Sequence, residues 1–455
     1  MQNISTIRYI STNRYNLDKG KNKTVSFRKA LFQGIAPDGG LYMPTSIPTL
    51  TKKERFALEG QSYPYIAFEI LRKFLGNEIP NNNLETICAD IYNYPVPIEK
   101  IDKNTQIAFL DRGPSASFKD FAARFMAKVM EFFKNTKNTT NILVATSGDT
   151  GSAIGEAFKG IKGFQVFILY PDQEVSPVQR LQLERIGDNI KTISIDGKFD
   201  DCQKLVKKAF LDPDLYEMNL TSCNSINIGR IIPQIVYYFY IASNIISKNE
   251  PIVFSIPSGN FGNSLGCEFA RRMGLPLDQI IIAVNENDEF PNFLSSGNFS
   301  PIIPSRKCIS NAMNVGNPSN LARYFDLYGG HLLSNGIVNK KPDLMKMRKN
   351  LWSTSVSDSE TITIIKETWS NNGIILDPHG AVGLAALRKF QNNNNNRAVV
   401  LGTAHPGKFP EIVEESIGSE IIIPKTLKRA MDREKNIYKL DSNYENFKLF
   451  LLQEK

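Results

Sequence analysis

The sequence has 455 residues, of which 42% are hydrophobic, so it can bury substantial cores without disulfides or metal ions. Its formal net charge of +8 is spread along the chain rather than gathered in one basic block, which argues against nucleic acid as a partner. The sequence has no run of about 18 apolar residues and no basic N-terminal segment followed by an apolar one, so neither a membrane span nor a secretory signal is predicted.

The first 100 residues predict an accessory N-terminal domain. Helical patterns over Ser26–Gln33 and Ser62–Leu75 are joined by segments rich in proline and glycine. A catalytic core is predicted over residues 101–424. Beyond Pro424 the chain becomes charged and helical, which predicts a C-terminal appendage over residues 425–455 packed on that core.

A lysine stands at the start of a strongly helical pattern. Ser117 is the expected N-cap, and Asp120, three residues later, suits a capping box. A buried helix face is predicted from Phe121, Phe125, Val129 and Phe132. Lys119 lies in the first turn, where the helix dipole disfavours a cation and favours the less basic amine that carbonyl chemistry requires. Alone, this position is more typical of a solvated surface lysine.

From about residue 141 onward, short β-branched runs alternate with amphipathic stretches, which predicts an α/β fold with a mostly parallel sheet. The candidate strands are Asn141–Thr146, Phe164–Leu169, Ile190–Ile195, Ile252–Ile256, Gln279–Val284 and Ala398–Gly402. Two of them lead into glycine-containing turns followed by helices, Ser147–Gly151 and Ser258–Asn263. Backbone N–H groups at such helix starts bind anions. Neither turn is a dinucleotide fingerprint or a P-loop, so two other anions are expected.

The histidines and cysteines give no metal-binding pattern. His331, His379 and His405 are far apart, and the five cysteines lack C-x-x-C spacing. We therefore expect no metal, structural hydrogen bonds for His379 and His405, and a reducing cytoplasmic environment. The run Asn392–Asn396 predicts a tolerant surface loop.

Several motifs resemble those of the threonine synthase family. They are Asp111–Phe121 around the lysine, Ala145–Gly151, Pro257–Gly262, Gly34–Pro44 in the N-terminal region, and Leu376–Ala381 with Gly402–Pro406 in the C-terminal region. The resemblance spans roughly residues 10 to 420. It departs from the family pattern at Asp111 and Arg112 before the glycine, and at Ser115 and Ser117 in place of threonine and alanine.

The resemblance implies the fold type II architecture, similar to the tryptophan synthase β subunit, in which two α/β subdomains clasp pyridoxal 5'-phosphate. It also implies conversion of O-phospho-L-homoserine and water to L-threonine and phosphate. Lys119 would carry the cofactor and move the substrate's protons. Cofactor contacts are expected from Gly259, Asn260, Phe261, Gly262, Asn263 and Thr403, and substrate contacts from Ser147, Asp149, Thr150, Ser225, Asn227 and Arg230.

Two other functions are compatible with the same residues. An amino-acid dehydratase or another β-eliminating lyase would use a similar lysine and similar turns, although the N-terminal motifs argue against it. A non-catalytic protein that senses an amino acid or a phosphorylated metabolite could retain the fold. A monomer and a homodimer are both compatible with the sequence.

Overall fold

The structure is a computed structural model that describes residues 6–14, 23–134, 138–245, 250–391 and 397–454, so the predicted loop at 392–396 lies outside the described residues. The strands are β1 (Tyr9–Ser11), β2 (Tyr42–Pro44), β3 (Ile98–Lys100), β4 (Thr105–Phe109), β5 (Thr140–Ala145), β6 (Phe164–Pro171), β7 (Ile190–Asp196), β8 (Leu220–Ser222), β9 (Ile252–Pro257), β10 (Leu277–Val284), β11 (His331–Leu332), β12 (Val338–Lys340), β13 (Leu351–Ser355), β14 (Ala398–Gly402) and β15 (Ile437–Asp441).

The helices alternate with these strands through most of the chain. They are α1 (Phe27–Gln33), α2 (Lys52–Phe56), α3 (Tyr63–Leu75), α4 (Asn81–Ile91), α5 (Lys119–Phe133), α6 (Asp149–Phe158), α7 (Pro177–Glu184), α8 (Phe199–Leu211), α9 (Ile235–Ile245), α10 (Gly262–Arg272), α11 (Glu289–Ser296), α12 (Leu321–Leu327), α13 (Leu344–Asn350), α14 (Asp358–Asn372), α15 (Pro378–Gln391), α16 (Pro410–Ile417), α17 (Lys425–Met431) and α18 (Tyr444–Gln453). No helix within the described residues is long and apolar enough to cross a membrane.

Two mostly parallel sheets form the two α/β subdomains. The larger has the order β13-β10-β9-β14-β4-β3, and β3 is its antiparallel edge strand. The smaller has the order β15-β7-β6-β5-β8 and is parallel throughout. Helices cover the sheet faces, which explains why β5 and β9 consist of buried residues only. The predicted α/β class and subdomain arrangement are confirmed.

All six predicted strands are present within two residues of their expected ends. Five strands of the two sheets were not predicted, because their sequences are short or carry polar residues: β3, β4, β8, β13 and β15. β4 is an inner strand of the larger sheet and lies between β14 and the edge strand β3. β15 pairs with β7 along its whole length. Part of the expected C-terminal appendage therefore completes a core sheet, whereas the domain boundaries at residues 100 and 424 remain a prediction.

The start of α5 differs from the prediction. The helix begins at Lys119 and its N-cap is Phe118, with no side-chain cap, so Ser117 is not the N-cap. Ser117 instead forms a bridge with Ala404 after β14, which keeps its backbone extended. Asp120 consequently accepts a hydrogen bond from the Ser115 N–H at 2.9 Å rather than closing a capping box.

The buried face of α5 also differs at one position. Phe121, Phe125 and Val129 are fully buried, as predicted, but Phe132 is 39% exposed. Phe133 takes the expected place in the core because it continues the spacing of four residues. This face contacts the N-terminal region, where the Phe121 and Tyr63 ring centroids lie 5.6 Å apart.

Candidate active site

A cavity of about 830 Å³, counted with its open mouth, lies between the two subdomains. Its wall is built from the first turn of α5, the turns that follow β5 and β9, and the residue after β14. These segments meet because ligand sites in parallel sheets form at the carboxyl ends of the strands. Among the predicted site residues, those that line the cavity are Lys119, Ser147, Asp149, Thr150, Ser225, Arg230, Gly259, Asn260, Phe261, Gly262, Asn263 and Thr403.

Lys119 enters the cavity from the first position of α5. A backbone hydrogen bond holds the preceding residue in place, because the Phe118 N–H donates to the Thr403 carbonyl at 2.9 Å. The Lys119 side chain is 13% exposed, and its Nζ lies 3.1 Å from Asp149 Oδ2. Burial lowers the pKa of Lys119, the attraction of Asp149 opposes that change, and the nearby cation Lys408 adds to it. The amine is therefore less basic than an ordinary lysine.

The turn after β9 has the features of an anion cradle. Phe261 adopts a left-handed conformation with φ of 60°, and α10 begins directly after it at Gly262. Asn263 Oδ1 accepts hydrogen bonds from Tyr237 and Tyr238. Its Nδ2 is buried and has no partner among the described residues. A buried amide donor without a partner at the start of a helix suits a bound phosphate.

The turn after β5 is held by the side chain of the residue that directly follows the strand. Thr146 Oγ1 accepts hydrogen bonds from the N–H groups of Gly148 and Gly151 at 3.0 and 2.9 Å. Gly148 has φ of 126°, and a Cβ there would lie 2.5 Å from the Gln179 side chain, so glycine is required. This turn places Asp149 at the start of α6, beside the Lys119 amine.

Asp149 lies between two ammonium groups. Burial alone would raise the pKa of its carboxyl, but Lys119 and Lys408 hold that pKa well below its usual range. Asp149 is therefore an anion while both lysines are charged. A hydrogen bond also fixes the Asp149 side chain, because Gln179 Nε2 donates to its Oδ1 at 2.8 Å.

Arg230 adds a second cation to the cavity wall. One terminal nitrogen donates to the Cys223 carbonyl at 3.0 Å, whereas Nε is buried without a partner among the described residues. Burial lowers its pKa to about 10, which still leaves it charged at neutral pH. A buried guanidinium with an unpaired donor in a cavity that also holds a lysine favours an anionic ligand.

Asn227 is not at the cavity, contrary to the prediction of a substrate contact. It is fully buried, and its amide donates to the Leu31 and Ser222 carbonyls at 2.8 and 2.9 Å. Its Oδ1 accepts from the Gly229 N–H and caps the short helical turn that carries Arg230. Asn227 therefore positions Arg230, because all its hydrogen-bonding groups are used within the protein.

Two functional candidates were missed by sequence reasoning. His379 lines the cavity; its Nδ1 bonds Asp377 Oδ2 at 2.6 Å and its Nε2 accepts from the Ala312 N–H at 3.1 Å. The structural hydrogen bonds expected for it are present, and its position in the Leu376–Ala381 motif was the available signal. Lys408 is the second, and its fully buried side chain contacts Asp149. A lone lysine after β14 carried no local signal of that contact.

The remaining sequence features lie outside the cavity wall. His405 Nδ1 accepts a hydrogen bond from the Gly407 N–H, as expected for a structural role. The departures from the family pattern are buried at Asp111, Ser115 and Ser117 and partly exposed at Arg112. Within the described residues, no cluster of histidine, cysteine and acidic side chains could hold a metal ion.

A buried lysine of lowered basicity, an anion cradle at a helix start and a second anion-binding turn, all between two parallel α/β subdomains, define a pyridoxal-phosphate-dependent enzyme. Residues 107–403 match the model of that family, "Pyridoxal-phosphate dependent enzyme". Residues 8–92 match "Threonine synthase N terminus", and residues 380–451 match "Threonine synthase, C-terminal". The chain belongs to the threonine synthase family.

Similar proteins extend over nearly the whole chain. Threonine synthase of Buchnera aphidicola subsp. Acyrthosiphon pisum is 38% identical over 443 residues, which cover 96% of this chain and 99% of the relative. The crystal structure of threonine synthase from Escherichia coli superposes with a TM-score of 0.89 at 34% identity, covering 98% of this chain and 100% of that chain. The PLP-bound threonine synthase from Brucella melitensis gives a TM-score of 0.89 at 33% identity, covering 98% and 99%.

Proposed function

We propose that this chain converts O-phospho-L-homoserine and water into L-threonine and phosphate. The observation that carries the proposal is the cavity itself. The Lys119 amine, the two turns proposed to bind anions and the unpaired Nε donor of Arg230 all belong to its wall. A substrate with one carboxylate and one phosphate, together with a cofactor phosphate, presents three anionic groups to this wall.

Pyridoxal phosphate, when bound, supplies an electron sink for the electron pair left by breaking a C–H bond beside the substrate nitrogen. Lys119 would carry the cofactor covalently. The N–H groups of the turn after β9 and the unpaired Asn263 amide would hold its phosphate. Thr403 would present a neutral hydroxyl to the pyridine nitrogen, and the cofactor-binding set is completed by Gly259, Asn260, Phe261 and Gly262.

The chain's own proton chemistry centres on Lys119 Nζ. Once the substrate amine has taken its place on the cofactor, the free amine would accept the substrate α proton and later return a proton to that carbon. Its lowered pKa favours the neutral form that can accept a proton. Asp149 lies within 3.1 Å and would stabilise the ammonium form that follows.

Substrate anions would be held by the remaining cavity groups. Ser147 and Thr150 lie in the turn after β5, where helix-start N–H groups suit a carboxylate. Arg230 and Ser225 also line the cavity and would bind the substrate phosphate. Asn227 would support phosphate binding indirectly, because it caps the turn of Arg230.

Steady-state assays of the purified, cofactor-loaded chain test the proposal. Phosphate release and L-threonine formation are measured with O-phospho-L-homoserine, and keto-acid formation is measured with L-threonine and L-serine. We expect product only from the phosphorylated substrate. Keto acid from the free amino acids would identify a dehydratase instead, and no turnover of any of them would favour a binding protein.

A lysine pair on α5 supplies the matched variants for these assays. Lys119→Ala should abolish turnover, whereas Lys128→Ala should retain it, because the Lys128 side chain is 44% exposed on the same helix. Equal activity of the two variants would contradict the assignment of Lys119.

The cellular setting is also proposed. The five cysteines are all free and buried, which suits a reducing cytoplasm. The enzyme would act on a small molecule as a monomer or a homodimer, with an N-terminal accessory domain over residues 1–100, a catalytic core over residues 101–424 and a C-terminal segment over residues 425–455. Light scattering distinguishes the two assembly states.

A further inference from the structure

Lys408 is a fully buried lysine next to the cavity, and the proposed function gives it no role. It lies after β14 in the short helical turn Pro406–Lys408. Its Nζ is 2.8 Å from Asp149 Oδ1 and donates to the Ser115 carbonyl at 2.8 Å. Its own carbonyl accepts from Ser176 Oγ at 2.6 Å. Burying a lysine is costly, so the protein gains something specific from this charge.

The two oxygens of Asp149 face different lysines. Oδ1 meets Lys408, and Oδ2 meets Lys119 at 3.1 Å. The Asp149 side chain is 2% exposed, so solvent screens these contacts weakly. A lone carboxylate at this distance would hold a proton on Lys119. Lys408 offsets part of that negative charge with its own, so Asp149 attracts a proton on Lys119 less strongly than a lone carboxylate would.

We propose that Lys408 is a positioning residue of the catalytic centre: it fixes Asp149 toward Lys119 and balances its charge, so that the Lys119 amine stays free to accept a proton. Lys408 does not line the cavity, so it acts through Asp149 rather than by touching the substrate or cofactor. The inference rests on the proposed role of Lys119.

Other charged or titratable groups lie near Lys119, Asp149 and Lys408. Arg230 repels a proton on Lys119, and His379 acts on Asp149. The charge of Lys408 lowers the pKa of both Asp120 and His405. Burial has the larger effect on each group, so that the pKa of Asp120 is raised to about 6 and that of His405 is lowered to about 4. Both of these groups titrate mainly below pH 7. Labelling of the Lys119 peptide between about pH 7 and 10 therefore reports mainly on the Lys119 amine.

Competitive labelling of the full chain, freed of cofactor, measures the Lys119 amine directly. A trace of acetic anhydride acetylates neutral amines, and mass spectrometry of the Lys119 peptide gives its rate at each pH. Lys408→Met should raise the pH midpoint of Lys119 labelling by about one unit or more, which means about tenfold slower labelling at pH 8. The midpoint rises because, without the Lys408 charge, the negative charge of Asp149 stabilises the Lys119 ammonium more strongly.

Further variants separate charge from packing and folding. Lys408→Gln keeps a polar side chain but removes the charge, so it should label like Lys408→Met. Lys408→Arg should label like the wild type, and so should Lys425→Met, which removes an exposed lysine. Thermal melts verify that each variant is folded. A wild-type midpoint in folded Lys408→Gln would overturn the inference, as would an equal shift in Lys408→Arg and Lys408→Gln.

This measurement needs no substrate, so it is independent of the proposed reaction. If phosphohomoserine is not turned over but the labelling midpoint shifts, the proposed function fails and the role of Lys408 stands. In the active enzyme, Lys408→Gln should move the acidic limb of kcat/KM to higher pH with Lys408→Arg restoring it.

Discussion

Gly259 packs against backbone in the wall of the cavity, so Gly259→Ala is a sharp test of the turn after β9. The added Cβ would lie 2.6 Å from the Ala312 carbonyl oxygen and 3.0 Å from Met313 Cα. Ordinary contact begins near 3.4 Å, so the two segments must separate by about 0.8 Å. The opposing turn cannot move freely, because the Ala312 N–H is bound to His379 and Asn311 Nδ2 donates to Gln179 at 2.8 Å.

Overpacking of this kind costs about 1–3 kcal/mol. We expect the cost to appear in the complex, because the proposed cofactor phosphate requires the turn in its present position. The dissociation constant for pyridoxal phosphate should then rise about tenfold to a hundredfold, since about 1.4 kcal/mol corresponds to each factor of ten. Fluorescence titration of the cofactor-free chain measures it, and urea unfolding of the same sample measures how much of the cost falls on folding.

Gly418→Ala is the matched control. Gly418 has φ of 69° and open space around its Cβ, so alanine there strains the backbone without contacting the cavity. It should lower stability by about 1 kcal/mol and leave cofactor affinity unchanged. An unchanged cofactor affinity in a folded Gly259→Ala protein would refute the assignment of this turn as the cofactor cradle.

Three further substitutions follow from the buried polar groups. Burial raises the pKa of Asp111 to about 6, so the free energy of unfolding falls as the pH rises and the buried carboxyl ionises. Asp111→Asn should therefore raise the free energy of unfolding by up to about 3 kcal/mol at pH 7.5. Urea titrations should show that this gain vanishes below about pH 4. Arg323 is fully buried and donates to the Tyr42, Ser225 and Ile226 carbonyls, so Arg323→Lys should lower the free energy of unfolding by about 3 kcal/mol, and a loss below about 1 kcal/mol would contradict this. Asp377→Asn should lower kcat/KM about tenfold, because an amide no longer fixes the His379 tautomer whose Nε2 accepts from the Ala312 N–H. Wild-type kinetics would show that fixing this tautomer does not contribute to catalysis.

The parts of this protein that the sequence predicts are those encoded over short stretches. A β-branched run followed by a glycine turn and a helix start predicted β5 with Asp149 and β9 with Asn263, because strand, turn and helix signals are consecutive in the chain. Lys119 was predicted at a helix start for the same reason. Its proposed role depended on the two turns and on the family resemblance, because its position alone is more typical of a surface lysine.

The missed features depend on contacts between distant segments. Ser117 has the composition of an N-cap, but its bridge to Ala404, nearly three hundred residues later, keeps it extended. Asn227 has the composition of a ligand contact, yet its donors bind the distant Leu31 carbonyl and the Ser222 carbonyl. β15 is a short edge strand whose partner β7 is equally remote. No local pattern specifies any of these pairings.

The segment after β14 couples the two chemical features of the site. The Thr403 carbonyl accepts from the Phe118 N–H and so fixes the start of α5, while the same residue presents the proposed ring partner of the cofactor. Five residues later, Lys408 reaches Asp149 and the Ser115 carbonyl on the other side of Lys119. Lys119, the proposed attachment point of the cofactor, is therefore held by one short segment at its backbone and, through Asp149, at its amine. A change in the direction of this segment would therefore alter both the start of α5 and the contact of Lys408 with Asp149.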